Sequence, residues 1–133
     1  MNTPKPLGKV NSYRDLVVWQ KSRLLATEAY RLCMTPSFER HRGLSDQIMR
    51  SAISVPSNIA EGDERGTNKD ALRFLMIARG SLAELETQLS IAEAIGIIPQ
   101  PVVVKIAAQL DEVARLLRGT IKMRQAREET DGR

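Results

Sequence analysis

Apolar residues recur every three or four positions along most of this chain. Side chains at this spacing fall on one face of an α-helix, so the pattern predicts amphipathic helices. In the third predicted helix the apolar series is Leu75, Ala78, Leu82, Leu85, Leu89 and Ala92, and in the fourth it is Val103, Ile106, Leu110, Val113 and Leu117. Alternating steps of three and four are typical of helices that pack along one seam. No stretch shows the period-two alternation that predicts a strand.

Helix breakers and capping residues set the predicted ends of four helices. Thr35 precedes Pro36 and is therefore disfavoured in the helical region, which ends the first helix. Pro101 suits the first turn of the last helix, where its missing N–H is not needed. The predicted helices begin after Ser12, near Ser45, at about Lys69 and at about Pro101, and they end at Thr35, Gly62, Ile95 and Arg127.

Four amphipathic helices joined by short connections predict an all-α fold, an antiparallel up-down four-helix bundle. The bundle domain is expected to span residues 12–127, between flexible tails at residues 1–11 and 128–133. Hydrophobic residues make up 42% of the chain and charged residues 27%, a balance that excludes wholesale disorder and agrees with one globular domain.

The segment SVPSNIAEG, residues 54–62, places a proline within the second predicted helix. The apolar series Leu44, Ile48, Ala52, Val55 and Ile59 passes through it without losing phase. The sequence therefore predicts a continuous helix that is kinked at Pro56 and ends at Gly62. We expect Asn58 or a neighbouring serine to satisfy the carbonyl that the proline frees. The alternative is that the bend and Asn58 form a ligand site.

Helix three carries a second regular series on the side opposite its leucine seam. This outer face of helix three consists of Met76, Gly80, Ala83, Thr87, Ser90 and Ala94. Gly80 costs about 1 kcal/mol relative to alanine in mid-helix, whereas small residues let another backbone come close. On helix four, Leu116 and Met123 also lie off the main seam. These positions predict contacts in a homo-oligomer; the alternative is an exposed face that is small by chance.

Basic residues are concentrated near the end of the chain, which has a net charge of +4. Arg115, Arg118 and Lys122, the basic row of helix four, share the face opposite the apolar seam. Arg14 and Lys21 form a shorter row on helix one. Both rows predict contact with the phosphates of RNA or DNA, without base reading. The alternative is a solvated surface whose cations suit a helix C-terminus.

Residues that carry catalysis or hold metals are sparse. His41 is the sole histidine and Cys33 the sole cysteine, so a metal site of the usual spacing is not expected, and neither is a cofactor. The loop EGDERG lacks the lysine and hydroxyl pair of a phosphate loop. No apolar run approaches the ~18 residues of a membrane span. We expect a cytoplasmic non-enzyme with no membrane partner.

Three motifs resemble a known family. YRDLVVWQKS at residues 13–22, GLSDQIMRSAISVPSNIAEG at residues 43–62 and RFLMIARGSLAELETQL at residues 73–89 look like the 23S rRNA-intervening-sequence proteins. The resemblance runs from about residue 13 to residue 98. It implies a four-helix up-down bundle, a ring-like homo-oligomer that is a pentamer, and no enzymatic activity. The family is also similar to the accessory protein of diversity-generating retroelements, a basic pentamer that binds nucleic acid and its reverse transcriptase.

Two functional hypotheses follow from the residues and the resemblance. The first is a self-assembling bundle that binds RNA or DNA through repeated basic faces. The second is a protein-interaction scaffold with no nucleic-acid role, in which the basic residues are merely solvated.

Overall fold

A computed structural model describes residues 12–130, which form four α-helices and two short 3₁₀ turns. The helices are α1 (Val17–Cys33), α2 (Arg42–Glu64), α3 (Asn68–Ala94) and α4 (Gln100–Thr130), and the turns are Tyr13–Asp15 and Pro36–Phe38. The predicted all-α four-helix bundle is confirmed. The predicted flexible tail at residues 1–11 lies outside the described residues, as do residues 131–133 of the second tail, whereas α4 continues through residues 128–130.

Each helix packs against two neighbours, in the cyclic order α1, α2, α3, α4. Every member of the leucine seam of α3 is buried, as the sequence predicts, and so are Ile106, Leu110, Val113 and Leu117 of α4. The largest fully buried side chains include Phe38, Leu25, Ile48 and Leu85. Burial of these apolar surfaces is the main force that holds the bundle together.

Two helix starts differ from the predictions. The side chain of Ser12 caps the first 3₁₀ turn by accepting a hydrogen bond from the Arg14 N–H at 3.2 Å, and α1 itself begins only at Val17. Helix α2 begins at Arg42 rather than near Ser45. Local capping signals therefore located the first turn correctly but not the start of the longer helix.

Gly62 does not end α2, so that prediction is wrong. The helix continues to Glu64, and Gly62 is buried where α2 and α3 pack closely. A Cβ atom at this position would lie 2.8 Å from the Cβ of Phe74 and 3.2 Å from the Cα of Ala71. The chain instead turns at Gly66, whose φ of 83° is favourable only for glycine.

Helix α2 runs through Pro56, as the phase of its apolar series predicts. Ile59 is buried beyond the proline, which excludes a break at this point. The kink itself stays a prediction. The Asn58 side-chain amide donates hydrogen bonds to the Ser54 carbonyl at 2.8 Å and to the Ser54 hydroxyl at 2.9 Å. It is therefore directed at Ser54 rather than at the Ala52 carbonyl, the one that Pro56 leaves without its helical partner.

Candidate nucleic-acid interface

The basic row of helix four is exposed on the outward side of α4. Arg115, Arg118 and Lys122 lie opposite the buried Val113 and Leu117. None of the three forms an ion pair within residues 12–130. The row extends about 10 Å along the helix axis, a span that covers several phosphates of a nucleic-acid strand.

The two basic candidates at the start of the bundle, Arg14 and Lys21, are engaged within the chain, and Arg14 lies in the first 3₁₀ turn rather than on helix one as predicted. The Arg14 guanidinium lies 5.0 Å from the centroid of the Trp19 ring, and Tyr13 contacts the same ring edge-on. Lys21 Nζ lies 3.8 Å from a carboxylate oxygen of Glu112 on α4. The basic row of helix four is therefore freer than Arg14 and Lys21, which contact other residues of the chain.

A second arginine cluster lies where α2 leads into α3, and the sequence reasoning missed it. The guanidinium carbons of Arg65 and Arg73 lie 5.0 Å and 4.9 Å from the centroid of the Phe74 ring. Both arginines are exposed. Arg73, which precedes Phe74 in sequence, was a signal for a contact with the ring, whereas the turn at Gly66 is needed to bring Arg65 onto it.

Arg124 connects α4 to the α2–α3 connection and is not part of the basic row. It donates hydrogen bonds to Asn68 Oδ1 at 2.8 Å and to Asp63 Oδ1 at 3.1 Å. The side chains of Arg124 and Asp63 are only 19% and 25% exposed. Arg124 continues the three- and four-residue steps of Leu117 and Ile121, and this spacing was the signal that it faces inward.

Replacing Arg124 with methionine is expected to lower the free energy of unfolding by about 1–3 kcal/mol, since hydrogen bonds to charged groups are worth this much. Methionine keeps most of the side-chain length while removing both donors. Urea unfolding at a fixed protein concentration measures the change. Lys122→Met is the control, because Lys122 is exposed and its loss should change the free energy by less than about 0.5 kcal/mol. Equal effects of the two substitutions would contradict the proposed contact.

Polar side chains in the proline segment and one turn before it connect α2 to α3. The hydroxyls of Ser54 and Ser81 lie 2.7 Å apart, and the Ser51 hydroxyl donates to Gln88 Oε1 at 2.6 Å. Ser51 and Ser81 are buried. Together with the hydrogen bonds of Asn58 to Ser54, these contacts support a structural role for the segment.

The outer face of helix three is largely open to solvent. Gly80, Ala83, Thr87, Ser90 and Ala94 are exposed, whereas Met76 packs partly against the core of its own chain. No atom beyond the helix's own backbone would lie within 4 Å of a Cβ placed at Gly80. The exposed apolar side chains Ile77 and Ile91 lie beside this face and widen it.

The two apolar candidates on helix four lie in different environments. Leu116 is half-buried against the core of its own chain, whereas Met123 is exposed. The structure therefore does not bring Leu116 onto an open surface with the other oligomer-contact candidates.

Cys33 lacks the lowered pKa that is typical of a catalytic thiol. Burial, with a smaller contribution from the nearby charge of Asp46, raises the pKa of the Cys33 thiol to about 11. The thiol therefore stays protonated at neutral pH, and it donates to the Ser45 carbonyl at 3.7 Å. His41 precedes α2 and makes no capping hydrogen bond with its side chain.

Within the described part of the chain there is neither a metal-binding cluster nor a membrane-spanning helix. Residues 12–130 contain no group of three or more histidine, cysteine, aspartate and glutamate side chains placed to hold a metal ion. Among the helices of the same region, none combines the length and the apolar composition needed to cross a bilayer.

Comparisons with known proteins give a family and a structural neighbour. The family model described as 23S rRNA-intervening sequence protein matches residues 14–119. A crystal structure from Bacteroides thetaiotaomicron, of a protein with unknown function from the S23 ribosomal protein family, has a TM-score of 0.72 and 28% sequence identity. The match covers 80% of this chain and 99% of that chain. A search of curated proteins found no match.

Proposed function

The chain belongs to the 23S rRNA-intervening sequence protein family, and from this premise we propose that it is a non-enzymatic, self-assembling bundle that binds RNA or DNA. The binding is to phosphates and does not depend on base sequence. We place the protein in the cytoplasm, where such nucleic acids are accessible. The observation that carries the proposal is the exposed basic row of helix four, whose three cations form no ion pair with another residue between 12 and 130.

Phosphate contact is favoured over base reading because the rings of Trp19 and Phe74 already carry guanidinium groups. Arg14 lies over Trp19, and Arg65 and Arg73 lie over Phe74. These rings therefore offer little free surface on which a base can stack. Three cations per subunit release about three counterions on binding a duplex, which makes the affinity fall as salt rises.

Self-assembly multiplies this modest charge. The outer face of helix three presents small residues and, at Ile77 and Ile91, exposed apolar side chains, a surface that supports contact with a second copy. A ring of five copies, the assembly that the family resemblance implies, carries five basic rows. Several weak contacts to one nucleic acid then combine into tighter binding through effective concentration.

The proposal is tested by measuring the fluorescence anisotropy of a labelled RNA hairpin and a labelled DNA duplex at increasing salt concentration. We expect binding at low salt and a linear fall of log affinity with log salt. Arg118→Glu combined with Lys122→Glu should abolish binding at moderate salt, because two phosphate contacts become repulsive. Arg23→Glu combined with Lys69→Glu is the matched control, since it changes net charge equally at exposed positions outside the row.

Sedimentation of the same samples tests assembly separately. A species of 14.8 kDa alone, at every concentration, would contradict self-assembly. In the anisotropy measurements, equal losses of nucleic-acid affinity in the two double variants would mean that net charge, rather than the basic row, governs binding. No binding of either nucleic acid at low salt would leave the scaffold hypothesis.

A further inference from the structure

An apolar groove with a volume of about 160 Å³ lies between the second half of α3 and the first half of α4. Its floor includes Leu89, Ile106 and Leu110 from the two helices, and Ile98 from the connection between them. These side chains belong to the core, and each keeps a small exposed area. The groove is therefore an opening onto the hydrophobic core rather than a separate polar cleft.

Carboxylates line the rim of this groove. Glu86 and Glu93 stand on α3, and Asp111 stands on α4. All three are exposed, and none forms an ion pair with a side chain between residues 12 and 130. No lysine or arginine lines the groove. An anion such as a nucleic-acid phosphate would be repelled here, whereas a cation would be attracted.

The part of the α3–α4 hairpin around the groove is negatively charged, as the groove rim is. Residues 80–114 contain five acidic residues and one lysine, a net charge of −4. That lysine, Lys105, lies 3.6 Å from Glu28 of α1, and Glu112 is paired with Lys21. The remaining acidic charge on the two walls of the groove is therefore available to an outside partner.

We propose that this groove, here called the acidic groove, binds a basic segment of another protein that inserts one large apolar side chain between lysines or arginines. A cavity of about 150 Å³ accommodates a ring the size of benzene, so the volume suits a leucine, phenylalanine or tryptophan side chain. Glu86 and Glu93 are two helical turns apart, about 10 Å along the axis. At this separation the two carboxylates can each pair with a different cationic side chain of a peptide, whereas they are too far apart to coordinate one small cation together.

The acidic groove and the basic row use different surfaces of the same helix. Asp111 on the groove rim is one turn before Arg115, yet the two form no ion pair. One surface is suited to a cationic peptide and the other to phosphates. The groove proposal does not depend on nucleic-acid binding, because neither its floor nor its rim includes a residue of the basic row.

The test is a titration of the full chain, labelled at its isoleucine and leucine methyl groups, with the peptide Lys-Lys-Trp-Lys-Lys. In NMR spectra we expect saturable shifts of the methyl signals of Leu89, Ile98, Ile106 and Leu110. The signals of Leu25 and Ile48, buried elsewhere in the core, should not move. Lys-Lys-Ser-Lys-Lys, which has no apolar anchor, is expected to bind at least roughly tenfold more weakly.

Substitutions on the rim test the charge requirement. The triple variant Glu86→Gln, Glu93→Gln and Asp111→Asn should weaken tryptophan-peptide binding by at least roughly tenfold. The triple variant Glu64→Gln, Glu84→Gln and Glu129→Gln removes the same charge from exposed positions outside the groove and should bind as the unmodified chain does.

Three results would overturn the proposal. The first is an absence of methyl shifts at the highest soluble peptide concentration, and the second is equal binding of the tryptophan and serine peptides. The third is a loss of the peptide-induced shifts at concentrations where sedimentation shows the chain to be assembled, which would identify a second copy of this chain as the occupant.

Discussion

Leu25→Ala is expected to lower the free energy of unfolding by about 3–5 kcal/mol, the largest change we predict for a single substitution. Leu25 is 0% exposed and lies on the face of α1 that packs into the bundle. Alanine removes three carbon atoms and leaves a cavity, which the surrounding close-packed side chains fill only in part. Urea unfolding followed by circular dichroism measures the change.

The neighbouring residue is the matched control. Leu24 is on the same helix but is 46% exposed, so Leu24→Ala should cost less than about 1 kcal/mol. Both variants must be compared at one protein concentration, because association shifts apparent stability. Similar losses for the two substitutions would contradict the orientation of α1 in the bundle.

Gly62→Ala is expected to destabilise the protein by about 1–3 kcal/mol, as overpacking does in close-packed cores. The added Cβ would approach the Cβ of Phe74 and the backbone of Ala71 too closely, and neither is the flexible end of a side chain. Helices α2 and α3 must therefore separate locally. Differential scanning calorimetry should show a lower Tm.

Gly119→Ala is the control for this substitution, and it is expected to stabilise the protein rather than destabilise it. Gly119 is also inside a helix, but a Cβ placed there meets no atom within 4 Å beyond the helix's own backbone. Alanine should then raise stability by roughly 0.5–1 kcal/mol through its better helix propensity. Stabilisation by both substitutions would show that the close approach at Gly62 does not exist.

The periodicity of the sequence predicted the helices and their buried faces well, because burial of one face is encoded locally. Every member of the α3 leucine seam is buried, and the basic row lies opposite the seam of α4, as expected. The role of Gly62 was not predictable in the same way. Glycine is suited both to ending a helix and to letting another helix come close, and only the position of Phe74 distinguishes the two.

The candidate interface was predictable only in part, for a similar reason. Exposure of Arg118 follows from its position opposite the seam. The spacing also places Arg124 on the inward side of α4. Its partner Asp63, and the Glu112 partner of Lys21, belong to other helices and do not follow from that spacing. A long cationic side chain can reach acidic partners on other helices. The pattern of one helix therefore does not show which lysines and arginines remain unpaired.

The serine contacts between α2 and α3 have a consequence for how the two helices align along their axes. Leucine seams repeat every turn or two, so apolar contacts alone tolerate a slide of one helix along the other. The hydrogen bonds of Ser51 with Gln88 and of Ser54 with Ser81 are each satisfied at a single alignment. A slide of one turn would break both. Ser51 and Ser54 would keep their hydrogen bonds to Ile48 and Asn58 within α2, whereas the buried Ser81 hydroxyl would lose its Ser54 partner, at a cost of about 1–3 kcal/mol. These two hydrogen bonds thus fix the axial register of α2 against α3, which hydrophobic packing alone would not determine.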